Sequence, residues 1–227
     1  MNFDYTYAIL FGLKFFEPMV IVTNFVLLLV SLYAFFKLIK FRTPYATHMA
    51  RFIIIMGVSG CFGAAAHAMH YQMGKNIFDV VFFISNTMNL LAIYFCFRGS
   101  YNYSSLRVKP ENKYILGIAL AWVAALIVVA LINNNFLLIK IHAGIVLVYS
   151  LVIHYLRYKK YGDKGSTAIV AGIGISFLSI IVHSLHFSFS EWFNYKDIAH
   201  VIMIVSLLII YGGIRKNAKD FASTPKK

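Results

Sequence analysis

Gly63–Asp79 reads GAAAHAMHYQMGKNIFD. A small-residue apolar run closes on His67 and His70. The chain then turns at Gly74, and a second apolar run opens with Asn76 and Asp79. Residues at i and i+3 share a helix face, so the spacing predicts two imidazoles side by side at one helix end. A carboxylate follows at the start of the next helix. Ionisable groups in so apolar a setting are costly and mark a functional site. The same grammar returns as His183-Ser-Leu-His186, a short turn, then Asn194-Tyr-Lys-Asp197 and His200.

Around these stretches the chain is too apolar for water. Its 227 residues are 60% hydrophobic, with a mean hydropathy of +0.75. A soluble domain of this size cannot cover that much apolar surface. A membrane-spanning helix needs roughly 20 apolar residues. Such runs lie near 18–39, 49–72, 77–97, 114–132, 136–156, 167–187 and 198–214. The reading is an all-α polytopic membrane protein with seven transmembrane helices. Residues 1–16 form an outer interfacial segment rich in Phe and Tyr, without the basic start of a cleaved signal peptide. Residues 17–214 form the membrane domain, and 215–227 a mobile basic cytoplasmic tail after a last helix ending at Gly212-Gly213.

The net charge of +13 is distributed by topology. With the N-terminus outside, 17 of the 21 basic residues fall on inner segments; Lys14, Lys75, Lys140 and Lys196 are the exceptions. This bias orients the chain N-out/C-in, in a bacterial inner membrane, and makes anionic membrane lipid its first partner. Nucleic acid is excluded as a partner, because the aromatics lie within spans rather than in basic loops. Cys61 and Cys96 lie within spans and read as small buried hydrophobes.

Within the runs, Glu17-Pro18 opens the first helix, Pro suiting a first helical turn. Gly57–Ala66 makes the second helix a close-packing, central one. Asp79, Asn86 and Asn89 form one stripe on the third, expected to face the interior. The fourth helix is Ala/Val/Ile-rich and faces lipid. The organisation is a 3+1+3 internal repeat: His67 and His70 lie 116 residues before His183 and His186, and Asn76 and Asp79 lie 118 before Asn194 and Asp197. Ser31-Leu32 lies 119 before Ser150-Leu151. Residues 17–99 match 136–214, with 113–132 as the linker helix that keeps the halves parallel.

In this topology Glu17, His67, His70, Asp79, His142, His183, His186, Asp197 and His200 all lie toward the non-cytoplasmic ends of their helices. They fall within about 10 Å of depth at ~1.5 Å per residue. His and carboxylates at one depth are the composition of a metal site: zinc takes imidazole nitrogen and carboxylate oxygen, and catalytic zinc keeps a water in its open position. Plainer roles compete. Asn76 and Asn194 suit helix N-caps, with Asp79 and Asp197 three residues on as capping acids. Glu17 beside Lys14 suits an interfacial ion pair, and His70, His142 and His186 suit the headgroup layer.

The pattern resembles the CREST superfamily of seven-helix membrane hydrolases, which includes alkaline ceramidases and adiponectin-receptor-like proteins. That family places Ser-x-x-x-His on its second helix, Asp on its third and His-x-x-x-His on its seventh, together holding zinc. Gly63-x-x-x-His67, Asp79 and Lys196-x-x-x-His200 occupy those positions, with Gly for the Ser and Lys for one His. Glu17-Pro18 through Thr23-Asn24, with FNYKDIAHVIM near the C-terminus, also resembles an uncharacterised bacterial seven-helix membrane family.

The resemblance implies a zinc-dependent hydrolase of lipid-like amides or esters near the outer leaflet. His67 and His200 would hold Zn2+, with the missing ligand coming from His183, the leading choice, or from His186 or Glu17. Of the candidate catalytic carboxylates, Asp79 or Asp197 would be the general base and the other, or Glu17, would orient a ligand His, with His70 and His186 as supporting groups. The alternatives are a bis-His haem electron-transfer protein and a non-catalytic metal or proton carrier or sensor. No Lys lies mid-span in the last helix, which argues against a retinal Schiff base.

Overall fold

The chain enters its bundle through a hairpin. Strands β1 (Tyr7–Leu10) and β2 (Leu13–Phe16) pair antiparallel, Tyr7 opposite Phe16 and Leu10 opposite Leu13. Phe11 and Gly12 make the turn, both with positive φ (54° and 77°), the handedness that two-residue hairpins favour. The all-α expectation therefore fails at residues 7–16. Tyr, Ile and Phe are strand formers, and a segment too short to cross a membrane meets its backbone hydrogen bonds by folding on itself. The structure, a computed structural model, describes residues 6–105, 112–133 and 136–223, without the side chains of Leu10, His70, Tyr71, Met73, Ser105, Phe136 and 221–223. The expected role of the His70 side chain lies outside this description.

Among the described residues are seven helices long and apolar enough to cross a membrane. Helix α1 (Pro18–Leu38) ends in a 3-10 turn, Ile39–Phe41. A single run of helical hydrogen bonding then covers Pro44–Ser105, but Gly74 sits at φ 68°, ψ 166° and divides it. We call its two apolar parts α2 (Pro44–Met69) and α3 (Gly74–Ser104). Then come α4 (Lys113–Asn133), α5 (Phe136–Tyr161), α6 (Lys164–Leu185) and α7 (Tyr195–Ser223). Only glycine adopts the Gly74 geometry without strain, so the turn read in the sequence is where the backbone breaks.

The helices close a ring. α1 packs on α2, the α2–α3 pair on α5, α5 on α6, α6 on α7 and α7 back on α1, while α4 leans against α3 from outside. Only Val123, Leu126 and Ala130 of α4 are buried, which agrees with its featureless sequence. Small residues set the close contacts. A Cβ on Gly57 would lie 2.5 Å from the Ser31 Cβ, and one on Gly213 2.5 Å from the Gly165 carbonyl oxygen. α2 thus seats on α1, and α6 on α7, at backbone distance. Ser59 and Ser85 donate to each other's carbonyls (2.9 and 3.0 Å), tying α2 to α3.

Two boundaries depart from the sequence reading. α7 continues through Gly212-Gly213 to Ser223. Asn217 and Ala218 are buried against the bundle, so packing against α6 outweighs the cost of glycine in a helix. The first residues of the expected mobile tail are therefore helical and packed. The polar stripe of α3 also divides. Asn86 is buried, but Asp79 is exposed, because it stands in the first turn after Gly74, beyond the cover of neighbouring helices.

Candidate functional site

The N-terminus of α7 is built as a reciprocal cap. Asn194 Oδ1 accepts from the Lys196 amide (2.9 Å), and Asp197 Oδ2 accepts from the Asn194 amide (2.9 Å). Two amides that an α-helix start leaves unpaired are satisfied in this way. Asp197 is 1% exposed, and its Oδ2 does the work of a capping acid.

The cap aims two side chains at α1. Asn194 Nδ2 donates to Glu17 Oε1 (3.2 Å), and Lys196 Nζ lies 2.7 Å from both Glu17 oxygens. Glu17 is the residue between hairpin and α1. Its backbone is left-handed (φ 48°, ψ 58°), and its amide donates to the Thr6 carbonyl (2.9 Å). That bend turns a carboxylate that would otherwise meet solvent into the bundle, where it is 6% exposed. His67, at the end of α2, adds Nδ1 at 3.8 Å from Glu17 Oε2, with its ring edge-on to Phe78 and Phe82. The expected Glu17–Lys14 pair is not what forms. Lys14 lies over the Tyr7 ring instead, and Glu17 is taken by Lys196.

One turn beyond Lys196, His200 Nδ1 meets Thr23 Oγ1 (3.1 Å) and Asn24 Nδ2 (3.2 Å). The Asn24 amide also donates to the Val20 carbonyl (2.8 Å), which fixes its NH2 as the group facing the ring. The second proton of that NH2 faces the ring, where a nitrogen accepts it (Nδ1 at 3.2 Å, Nε2 at 3.4 Å), while the Thr23 hydroxyl donates to the Met19 carbonyl (3.0 Å). On the other side of α7, Lys140 Nζ lies 3.1 Å from His183 Nδ1; an ammonium only donates, so this nitrogen accepts too. His183 and His186 both stand edge-on to the Tyr195 ring (5.1 and 4.6 Å). His186 is the left-handed residue that ends α6 and is exposed. His142 is buried on α5.

Glu17, His67, Lys196, Asp197 and His200 thus share one end of the bundle. His67 and His183 are both within charge–charge range of His200. Asp79 stays at the surface. Among the described residues no three His, Cys, Asp or Glu side chains are arranged to hold a metal ion. The donor chemistry gives the reason. Glu17 is held by one ammonium and His183 Nδ1 accepts from another, so the set as arranged does not fit zinc. Sequence reasoning missed the two cations, Lys196 and Lys140. The signal was present: both are among the four basic residues that break the charge bias of the chain.

Residues 19–219 match the family of unknown function DUF6962. The chain belongs to this family. No curated protein and no solved structure matches it. The DUF6962 match runs from the first turn of α1 to near the end of α7, and includes His67, Lys140, His183, Lys196 and His200. Glu17 stands two residues before it.

Proposed function

We propose that this DUF6962 chain is a proton-linked carrier or sensor, N-out/C-in in a bacterial inner membrane, with the Glu17 cluster on the non-cytoplasmic side. The 17-to-4 split of basic residues supports the orientation. The 3+1+3 repeat is supported by His67 and His183 lying toward the same end of the bundle. One arrangement carries the functional reading: Glu17, 6% exposed, is held by Lys196 from α7 while His67 of α2 waits 3.8 Å away.

Imidazole is the side chain that changes charge between about pH 5 and 8. A proton on His67 creates a second cation facing Glu17, in competition with Lys196. Protonation is thereby linked to the hold of α7 on α1. His200, four residues after Lys196 and bonded to α1 through Thr23 and Asn24, moves with the same helix.

The test uses the reconstituted full chain with Cys61→Ala and Cys96→Ala, spin-labelled at Phe25→Cys and Val205→Cys, exposed positions on α1 and α7. The α1–α7 distance should differ between pH 5 and pH 8, and the difference should vanish in His67→Gln and Glu17→Gln. Proton flux into proteoliposomes then separates carrier from sensor. A distance independent of pH, with no flux, overturns the reading.

A second reading, the CREST-type hydrolase of lipid-like substrates, rests on the resemblance and on His67 and His200 sharing one end, and it requires Lys196 and Lys140 to release Glu17 and His183. Elemental analysis of the purified chain decides it: stoichiometric zinc lost in His67→Ala would replace the proton reading. A visible haem spectrum would instead favour bis-His electron transfer.

A further inference from the structure

The opposite end of the bundle carries a second polar centre, built around Ser166. This fully buried hydroxyl lies 3.0 Å from His154 Nδ1, 3.0 Å from Asp163 Oδ2 and 3.3 Å from the Tyr103 hydroxyl. Tyr103 stacks on His154 and packs tilted against Tyr45, each ring centre 4.7 Å away. The Arg157 guanidinium lies over Tyr103 (4.6 Å) and Tyr161 (4.7 Å). Beside this centre opens a cavity of about 300 Å³, with Arg157, Lys164, Lys216, Asp163, Asp220 and Asn217 in its wall.

We propose that this cavity binds a phosphate-bearing anion, either the headgroup of an anionic lipid or free phosphate. Three cations line it against two carboxylates, an excess of one positive charge. One carboxylate is already engaged: Asp163 caps α6, accepting from the amides of Gly165 (3.1 Å) and Ser166 (3.2 Å). Arg157 is 7% exposed, its guanidinium is held over two tyrosine rings, and a guanidinium in the wall of a cavity is the cation suited to bidentate phosphate recognition. Lys164 and Lys216 are exposed and form the rim. The volume is at the lower limit of about 300–1,000 Å³ for small-molecule sites, enough for a headgroup but not for acyl chains. The mouth lies at the end of the bundle that carries most of the basic residues, where pockets between helices recruit anionic headgroups.

Native mass spectrometry of the full chain in detergent tests this, with phosphatidylglycerol, diacylglycerol and inorganic phosphate as probes. The wild type should retain one phosphatidylglycerol and release diacylglycerol. Lys164→Gln/Lys216→Gln alters only exposed side chains and should weaken retention roughly tenfold or more. Lys37→Gln/Lys40→Gln, exposed at the same end but outside the cavity, should not. Arg157→Lys keeps the charge and removes the fork, and should fall between them. Displacement of the lipid by millimolar phosphate assigns the site to phosphate itself; failure to displace assigns it to the esterified headgroup. Equal losses in the rim and control pairs, or diacylglycerol held as tightly as phosphatidylglycerol, overturn the proposal.

Discussion

Replacing Lys196 by Met tests whether the Glu17 ion pair organises its end of the bundle. Both side chains are well below one-third exposed (14% and 7%), and both Glu17 oxygens lie 2.7 Å from Nζ. At an effective dielectric of about 20, opposite charges at that separation attract by about 6 kcal/mol. Desolvation offsets most of this, so the pair itself adds little net stability. Breaking it is a different matter. Lys196→Met leaves a buried carboxylate with the Asn194 amide and a half-exposed imidazole 3.8 Å away, a loss of about 3–5 kcal/mol. Glu17→Gln should cost less, about 1–2 kcal/mol, because a freed lysine extends its stem to water while a carboxylate on a fixed bend cannot. The double variant should lie well below the sum, with a coupling of about 2 kcal/mol or more. Denaturant unfolding in micelles, followed by the fluorescence of Trp122 and Trp192, gives all three values. Additive losses, or a Lys196→Met cost under about 1 kcal/mol, would refute the reasoning.

The same unfolding assay reads three further expectations. Gly213→Ala sets a Cβ 2.5 Å from the backbone oxygen of Gly165 and should destabilise by about 1–3 kcal/mol, while Gly174→Ala, with nothing within 4 Å, should be neutral or gain up to about 1 kcal/mol. Asp197→Asn keeps an acceptor for the Asn194 amide and should cost under about 1 kcal/mol, against about 1–2 kcal/mol for Asp197→Ala. Ser85→Ala removes one of two reciprocal bonds and leaves the buried Ser59 carbonyl without it, a loss of about 1–3 kcal/mol, whereas the paired variant with Ser59→Ala should not double that loss.

The seven long apolar helices were legible because hydropathy and helix length answer to one requirement, a run of about 20 apolar residues. Pro18 as a first helical residue and Gly74 as a break were legible for backbone reasons that hold without neighbours. What failed depended on neighbours. Nothing local distinguishes a helix stopping at Gly212-Gly213 from one that uses Gly213 to approach Gly165 and continues to Ser223. Nor does an aromatic segment at an interface announce a hairpin, since strand pairing needs the partner strand and the turn at Phe11-Gly12 to be read together.

For the site, residue type located the place and charge sign decided the chemistry. Counting His and carboxylates at one depth pointed to a ligand set, and Glu17, His67 and His200 do gather there. The count passed over Lys196, which stands where the resemblance puts an imidazole. An imidazole there offers a lone pair to a cation, whereas an ammonium offers only protons. With Nζ 2.7 Å from Glu17, the carboxylate already has a cation supplied by the chain. The same substitution of roles recurs at His183, whose acceptor nitrogen is taken by Lys140. Lys196 and Lys140 were visible from the start as exceptions to the basic-residue bias. Of the four lysines that break the bias, Lys14 and Lys75 are exposed while Lys140 and Lys196 are engaged by His183 and Glu17, so such exceptions are worth testing as members of a site before the surrounding histidines are read as ligands.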